Sequence, residues 1–589
     1  MRDLIRDSFF GRLLRVATRG QYPKYPEDFA SFELPEMYQQ PTPRTTSLTA
    51  PRNAASEDAA SGERARDLDD SETGARDDKK PGLPAIHHLA TPLRAGSEVS
   101  DKDGHVEKKR LSNADRTPSG FTVVTWYSHA DSDNPRNWSN GKKLWTGLIV
   151  LLYTLAMYIA SSMYTASIPH MMEMWSLGRV AASLGLSIYV FGYGLGPLIM
   201  SPLSEIPWIG RNPPYLIGFF FFVVLCVPIA LVDNYAGMLV LRFLLGVAGS
   251  PALATGGASY GDFCTGMQLP YAIAIWAGGA SAGPSIGPLV SNFAVQAKDW
   301  RWPFWETLWL AGPIFLVMFF TFPETSSDRI LLARAQRLRK LTGRTDLMAE
   351  SEIHAQNHNS RQELYFALIK PWEINLKDPA VLFTTVYLGL VYGIYYSFFE
   401  SFPMVFGQVY HFSFGVLGIA FLCIVVGCIL AVAVWCAFFF VVADKQMEKM
   451  KLENVPPEAR LAPGLVATLA IPVGLFIFAW TSRASIHWSV PMLGVTLSML
   501  GNFIIAQCVL IYLPFVYPRY ISSLFAANGF ARALLAAAAI LFAIPMFEHL
   551  GVAWGVSLLA FLCCGCSVGI YVLFFFGANL RKRSKFAES

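Results

Sequence analysis

The residues with the clearest chemical potential are charged side chains inside long apolar segments. Arg242 occurs in LVLRFLLGVAG, Arg532 in FAANGFARALLAA and Glu400 in FFESFP. A charge within a membrane span costs free energy, so such residues face a partner or a polar cavity and mark function. Because a guanidinium keeps its proton, Arg242 would hold a positive field near a protonation or substrate site. Alternatively, its side chain reaches the nearby lipid headgroups.

Two further charges, Glu205 and Arg211, follow the second apolar segment. Arg532 lies about 16 Å into its helix at 1.5 Å per residue, where it needs a carboxylate or a cavity. Glu205 and Glu400 are both candidate partners, and the sequence does not choose between them. The candidates for proton coupling or gating are therefore Arg242, Glu205, Arg211, Arg532 and Glu400.

A different kind of candidate is the helix surface in GGASAGPSIGP, residues 278–288. Gly279, Gly283 and Gly287 are four residues apart, so one face of a helix is bare and a second helix can approach closely. Pro284 and Pro288 each remove a backbone donor and are expected to bend the helix. The spacing predicts either ordinary helix packing or a pivot or seal in a transporter.

Composition indicates the environment of these residues. The chain has 589 residues, of which 53% are apolar and 15% charged, and its mean hydropathy is +0.38. These values are typical of a polytopic membrane protein. A net charge of +4 gives no argument for nucleic-acid binding. Most of the nine cysteines lie in apolar segments without other ligands, so we expect no metal site and no cofactor.

Twelve apolar segments are long enough to cross a membrane, given the roughly 20 residues that a spanning helix needs. They fall into two groups of six around a polar segment, which predicts an all-α membrane protein with two six-helix lobes. The predicted spans are 144–168, 179–203, 214–232, 236–258, 269–294, 303–322, 379–404, 413–442, 464–482, 489–514, 521–546 and 553–577.

The spans divide the chain into five regions. The lobes cover 144–322 and 379–577, joined by a central loop at 323–378 and followed by a tail at 578–589. Lysine and arginine are concentrated in the loops on the side of both termini, which predicts that both ends are cytosolic.

The fifth region, 1–143, is expected to be largely disordered. Residues 40–119 are rich in charge, serine and proline and poor in aromatic side chains. Residues 2–17 have the pattern of a basic amphipathic helix. This helix would lie either on the anionic inner leaflet or on the cytosolic face of the protein itself.

Several motifs occur in the order found in a known family. These are WYSHADSDNPRNW at 126–138, GPLIMSPLSEIPWIGR at 196–211, the pair Arg242 and Gly246, and Gly279-xxx-Gly283-Pro284-xx-Gly287-Pro288. The chain resembles the fungal twelve-helix drug:proton antiporters of the major facilitator superfamily. Its start, IRDSFFGR, is similar to the azole and benomyl resistance transporters of yeasts. The loop motif departs from the family pattern by two extra residues, which weakens the inference for Arg211.

The resemblance implies a major facilitator fold in the plasma membrane and proton-coupled antiport by alternating access. It implies that GxxxGPxxGP is the antiporter motif and that Glu205 caps the predicted eleventh helix near Ile521. The expected partners are a small-molecule substrate, protons and membrane lipids, and the expected state is a monomer.

A substrate cavity between the lobes would be lined mainly by aromatic side chains with a few amides. Such a surface suits flat, weakly polar compounds such as azoles or polyketides, whereas sugars need many polar partners and polyamines need buried carboxylates. The candidate lining residues are Tyr158, Trp276, Tyr396, Phe399, Asn502, Gln507 and Asn528.

Several alternative functions stay open or are disfavoured at this stage. A dedicated exporter of one secondary metabolite, or of polyamines, is not separable from a drug pump by sequence. A nutrient facilitator is disfavoured by the antiporter motif. The sequence contains no glycine-rich GxxxxGK signature followed by serine or threonine, which disfavours a transporter driven by ATP. The spans contain no cluster of catalytic residues, which disfavours a membrane enzyme.

Overall fold

Long helices dominate the computed structural model, which describes residues 2–39, 121–357, 369–443, 457–517 and 521–584. Ten helical runs in these ranges are long and apolar enough to cross a membrane. One of them, Leu524–Lys582, contains two helices that meet at Gly551, where a φ of 74° interrupts the helical backbone. The helix Leu269–Ala297, rich in glycine and proline, is not among the ten but lies between neighbours in the same bundle. Together these helices make the twelve that the sequence predicts.

We number the bundle helices α1 to α12. The helices of the N-terminal lobe are α1 Asn140–Met163, α2 Arg179–Glu205, α3 Asn212–Leu231, α4 Tyr235–Phe263, α5 Leu269–Ala297 and α6 Trp302–Thr321. Those of the C-terminal lobe are α7 Pro379–Phe402, α8 Phe414–Val442, α9 Ala462–Thr481, α10 Ser489–Val516, α11 at 521–550 and α12 at 552–583.

The most extensive helix contacts lie within the C-terminal lobe. The lobes meet mainly where α2 packs on α11 and where α5 packs on α8. We call the end of the bundle that carries residues 2–39 and Ser584 the terminal face, and the opposite end the distal face.

A small folded unit lies on the terminal face, and we call it the terminal-face unit. It combines residues 2–39, 121–139 and 323–357. Strand β1, Thr122–Val124, pairs in parallel with β2, Leu347–Ala349. The backbone N–H of Thr125 donates to the hydroxyl of Tyr38 over 3.0 Å, which joins the first segment to the second. The unit has its own apolar core, formed by Tyr38, Val124, Leu332, Ala335, Leu338, Leu347 and Ala349.

Arg334 is the polar centre of this unit, with a side chain only 1% exposed. Its Nη1 donates to Asp131 over 2.6 Å and its Nη2 donates to Asp133 over 2.9 Å. Its guanidinium also lies 3.9 Å from the centre of the Tyr127 ring. Beside it, Arg337 donates to Glu27 over 3.0 Å. These bonds connect all three segments of the unit.

Residues 2–39 and 121–139, which flank the stretch expected to be disordered, are held in the unit by partners in the central segment. A local interpretation of composition misses such partners because they lie far away in the sequence. Residues 40–119, which are expected to be disordered, lie outside the described residues.

The amphipathic start packs on the protein itself. The rings of Phe10 and Phe320 are 4.9 Å apart, and Arg12 donates to Glu324 over 2.8 Å. The backbone N–H of Glu324 donates to the carbonyl of Asp7 over 3.2 Å. Of the two placements that the sequence leaves open, the structure has the one against the terminal face.

We expect Arg334→Ala to release the terminal-face unit, because it leaves Asp131 and Asp133 buried without their cation. Breaking a buried ion pair in this way costs about 3–5 kcal/mol. Hydrogen–deuterium exchange should rise across 2–39 and 121–139. The control is Arg136→Ala, which removes an exposed arginine from the same segment. Equal exchange in the two variants would contradict the central role of Arg334.

The same contacts set the pH dependence of the unit. Burial would raise the pKa of Asp131, but the hydrogen bonds and charge of Arg334 hold it below its usual range. A carboxylate of this kind stabilises the folded state above its ordinary pKa of about 3.9 and stops doing so as the pH falls through the lowered value. Protection from exchange in the wild-type unit, corrected for the intrinsic exchange rate, should therefore stay unchanged from pH 8 to pH 5.

Candidate functional site

Five tyrosines from both lobes meet in the middle of the bundle, and we call them the tyrosine cluster: Tyr158 of α1, Tyr193 of α2, and Tyr392, Tyr395 and Tyr396 of α7. The Tyr193 hydroxyl lies 2.9 Å from that of Tyr392 and 3.0 Å from that of Tyr396. The centres of the Tyr158 and Tyr193 rings are 5.8 Å apart. The three tyrosines of α7 are spaced three and four residues apart, which places them on adjacent parts of one helix face. The cluster therefore joins the two lobes through hydroxyl groups.

Aromatic and polar side chains extend the cluster. The Phe399 ring lies 5.6 Å from the Tyr396 ring and stacks at 5.2 Å on Phe421 of α8. From α5, the Ser285 hydroxyl lies 3.0 Å from the Tyr395 hydroxyl. Aromatic faces, hydroxyl groups and helices of both lobes are thus combined at one place.

Arg532 adds a positive charge to this cluster. Its guanidinium lies 5.7 Å from the centre of the Tyr392 ring, and its Nε is buried without a hydrogen-bond partner among the described residues. The prediction that Arg532 pairs with Glu205 or Glu400 is wrong for the described part of the chain, because neither carboxylate contacts it. A tyrosine ring takes the place of the carboxylate and interacts with the cation through its negative face.

The remaining predicted lining residues are not joined to the cluster. Trp276 donates to Thr154 over 3.0 Å and packs within the N-terminal lobe. Asn528 donates to Thr385 over 3.2 Å, in the second turn of α7 near the terminal face. On α10, Asn502 is half-buried and Gln507 is 2% exposed. Of the seven predicted lining residues, the structure thus brings together three, which are Tyr158, Tyr396 and Phe399.

Nearer the distal face, Glu400 links α7 to α2. Its side chain is 4% exposed, lies 3.5 Å from the Arg179 guanidinium and accepts a hydrogen bond from Ser183 over 3.0 Å. We call Arg179, Ser183 and Glu400 the distal lock. One turn further along α2, Ser187 donates to the carbonyl of Ala537 over 2.8 Å. Polar contacts between the lobes therefore continue from the tyrosine cluster to the distal face.

The predicted bare face of α5 carries close helix contacts on the α1 side. A Cβ added at Gly283 would lie 2.7 Å from Cβ of Tyr158, and one at Gly287 would lie 2.8 Å from the carbonyl oxygen of Ile159. Gly279 faces Leu151 of α1 in the same way. The helix continues through Pro284 and Pro288 without interruption. The bend that we expect at these prolines stays a prediction.

Arg242 is fully enclosed in the N-terminal lobe, with an exposed fraction of 1%. It donates to the carbonyl oxygens of Gly185, Ala160 and Ser161 over 3.1, 3.0 and 2.8 Å. The rings of Tyr189 and Tyr164 lie 4.4 and 4.9 Å from its guanidinium. The alternative in which Arg242 reaches the lipid headgroups is therefore wrong, and the side chain instead ties α4 to α1 and α2.

A second charged group lies at the terminal ends of α2, α3, α4 and α6. Arg211 donates to Asp262 over 3.1 Å and to the hydroxyl of Ser204 over 3.1 Å. Burial would lower the pKa of Arg211, but the charges of Asp262 and Glu205 raise it. The backbone N–H of Arg211 donates to Glu324 over 2.8 Å. Arg211 is therefore well anchored despite the unusual spacing of its motif.

Sequence reasoning missed Asp262 and Glu324 as members of this group. Asp262 lies at the end of a span, where a carboxylate can be solvated, yet its side chain is only 21% exposed. The available signal was its place at the same end of the bundle as Arg211. Glu205 is half-buried and lies within reach of the charges of Arg211 and Asp262. The predicted cap of Glu205 on α11 stays a prediction.

Comparison with known proteins places this architecture in a family. The family model described as Major Facilitator Superfamily matches residues 150–540. The chain belongs to the major facilitator superfamily. A solved structure of the proton:xylose symporter XylE bound to 6-bromo-6-deoxy-D-glucose has the same fold, with a TM-score of 0.52 and 11% identity. The match covers 74% of this chain and 97% of the symporter.

Other relatives have a much higher sequence identity than this symporter, and they match most of the chain. MFS-type transporter pyvG of Aspergillus violaceofuscus is 45% identical, over 80% of this chain and 86% of the relative. Fluconazole resistance protein 1 of Saccharomyces cerevisiae is 37% identical, over 87% and 92% of the two chains. The cycloheximide resistance protein of Candida maltosa is 36% identical, over 85% and 93%. The protein is thus a multi-pass membrane transporter.

We expect Gly287→Ala to separate α5 from α1, because the new methyl group would meet backbone atoms that cannot move aside. Overpacking of this kind costs about 1–3 kcal/mol. The thermal unfolding temperature of the purified transporter should fall. The matched control is Gly312→Ala on α6, where an added Cβ meets nothing within 4 Å. There alanine should raise helix stability by up to about 1 kcal/mol. Equal unfolding temperatures would contradict the close contact.

Proposed function

We propose that this transporter exports flat, weakly polar small molecules across the plasma membrane in exchange for protons. The observation that carries the proposal is the tyrosine cluster between the lobes, with the guanidinium of Arg532 at its edge. The relatives named for fluconazole and cycloheximide resistance support the same class of substrate. Both termini are proposed to be cytosolic, so that the distal face points outwards.

The chemistry of the cluster favours aromatic substrates. Tyrosine rings offer stacking surfaces, and their hydroxyl groups donate or accept single hydrogen bonds. A sugar would need many paired donors and acceptors, and a polyamine would need carboxylates. Among the described residues, the cluster contacts hydroxyl groups, aromatic rings and a guanidinium, none of which neutralises an ammonium group. Azole-like and polyketide-like molecules therefore fit better than glucose or spermidine.

Movement of the lobes would open and close this site in alternation. In the arrangement described above, Tyr193 bonds across the lobes to Tyr396, and the distal lock joins α2 to α7. A substrate that enters between the lobes must replace the tyrosine hydrogen bonds, and release on the distal side requires the lock to separate. The close contact of α5 with α1 keeps the N-terminal lobe rigid while it moves.

Glu400 is proposed as the proton carrier. Its ion pair with Arg179 exists only while the carboxyl group is ionised. While the lobes are apart on the distal side, Glu400 is separated from Arg179 and takes up a proton from that side. When the lobes close again, the charge of Arg179 favours the ionised carboxyl group, and the proton leaves towards the terminal face in exchange for substrate. In this scheme Arg242 and Arg532 keep their charge throughout, and Arg242 acts as a structural tie.

The function is tested with the purified full chain in lipid vesicles that carry a proton gradient. We expect gradient-dependent transport of fluconazole and cycloheximide, and none of glucose or spermidine. Transport of a single secondary metabolite, with none of the drugs, would indicate a dedicated exporter instead. Proton-driven spermidine transport would contradict the argument from the tyrosine cluster.

In the same vesicles, Glu400→Gln should transport substrate at a rate that no longer depends on the proton gradient. The amide has no charge to lose, although Ser183 can still donate a hydrogen bond to its oxygen. The matched control is Glu173→Gln, an exposed carboxylate in the helix Ile168–Trp175 between α1 and α2, which should keep the wild-type dependence. Vesicles without protein set the background rate. If transport by the Glu400→Gln variant responds to the proton gradient as strongly as transport by the wild type, Glu400 is not the proton carrier.

A further inference from the structure

A cavity outside the helix bundle carries unmatched positive charge. It has a volume of about 780 Å³ and lies in the terminal-face unit, between the helix Phe9–Ala17, the turn Pro26–Asp28 and the helix Ser327–Thr342. Among the described residues, its wall contains six basic and five acidic side chains. The basic ones are Arg12, Arg15, Arg19, Arg329, Arg337 and Lys340, and the acidic ones are Asp7, Glu27, Asp28, Asp133 and Glu324.

Two of the acidic side chains are neutralised from behind the cavity. Asp7 accepts from Lys142 over 2.9 Å, and Asp133 accepts from Arg334 over 2.9 Å. Neither cation belongs to the cavity wall. The wall has one more basic than acidic side chain, but the positive electrostatic field inside the cavity is stronger than this difference of one charge indicates.

The other three acidic side chains are each occupied by one cation of the wall. Asp28 pairs with Arg15 at 2.6 Å and Glu27 pairs with Arg337 at 3.0 Å. Glu324 pairs with Arg12 at 2.8 Å. These pairs use three of the six basic groups and leave the other three without a carboxylate of the wall.

Arg19, Arg329 and Lys340 are the three that remain, and among the described residues none of them forms an ion pair. Arg19 and Lys340 are exposed at the rim, whereas Arg329 is half-buried and its Nε has no hydrogen-bond partner in the described part of the chain. Burial and the neighbouring charge of Arg12 lower the pKa of Arg329. A guanidinium enclosed beside a second guanidinium is the arrangement that a bound anion stabilises.

We propose that this cavity binds a phosphate group, with Arg329 inside and Arg19 and Lys340 at the rim. Planar guanidinium groups bind phosphate oxygens through paired hydrogen bonds, and basic pockets near the membrane surface accept phosphorylated headgroups. The volume admits a phosphorylated inositol ring. The group belongs either to a lipid or to a soluble inositol phosphate. Exposed Leu13 and Val16, on the helix that borders the cavity, offer an apolar surface beside it for lipid chains.

The bound anion would connect the amphipathic start to the central segment. Arg19 follows the helix Phe9–Ala17, whereas Arg329 and Lys340 belong to the helix Ser327–Thr342. One phosphate shared by these side chains would add ionic contacts between two segments of the terminal-face unit. Binding should therefore stabilise the attachment of the amphipathic start.

The test uses the full chain in nanodiscs of neutral phosphatidylcholine. Inositol hexakisphosphate and a short-chain phosphatidylinositol bisphosphate are each titrated, and binding is followed by native mass spectrometry and thermal unfolding. Arg329→Gln should weaken binding by about tenfold or more, as expected for loss of a charged hydrogen-bond donor. Arg329→Lys should recover part of it. Arg136→Gln, an exposed arginine of the same unit outside the cavity, should match the wild type.

The outcomes separate the two sources and decide the proposal. Tighter binding of the lipid than of the soluble compound identifies a headgroup site, and equal or weaker binding of the lipid identifies a site for a soluble phosphate compound. Lys340→Gln changes only an exposed rim residue, so it gives a second weakened variant without disturbing the packing of the unit. Absence of binding by either compound, or equal binding by wild type and both Gln variants of the cavity, overturns the proposal.

Discussion

A charge inside a lipid bilayer must find its partners within the protein, because the surrounding hydrocarbon offers none. Three charges within the spans meet that constraint in three ways. Arg242 uses three backbone carbonyls, Glu400 uses Arg179 and Ser183, and Arg532 lies against the ring of Tyr392. Only the second of these arrangements can be changed by a proton. The kind of partner therefore separates structural charges from the one suited to coupling.

Close helix contact is the second condition on which this arrangement depends. Arg242 reaches the carbonyls of Ala160 and Ser161 only because α4 lies near α1, and Gly246 of α4 in turn allows close approach to Tyr189 of α2. Small residues on α5 bring α1 close from the other side. Glycine thus acts at a distance from the charges, since it determines which carbonyls an arginine side chain can reach.

The sequence predicted the repetitive part of the structure well. Runs of apolar residues located the twelve helices, and the four-residue spacing of Gly279, Gly283 and Gly287 predicted a contact face, because both are local patterns. Partners across the fold were not predictable in this way. Arg334 and Asp131 are 203 positions apart, and Glu400 and Ser183 are 217 apart. Depth along a helix indicated that Arg532 needed a partner but contained no information on which neighbouring helix supplies it.

The contact between Tyr38 and Thr125 has a consequence for the chain between them. This contact holds the described segments that end at Gln39 and begin at Phe121 next to each other, so the two ends of the stretch 40–120 are held together whatever lies in between. The entropy lost by closing a loop grows only with the logarithm of its length. Insertions and deletions in this stretch should therefore accumulate in evolution at little cost to the fold, which leaves its length and composition free to diverge while both anchors stay fixed.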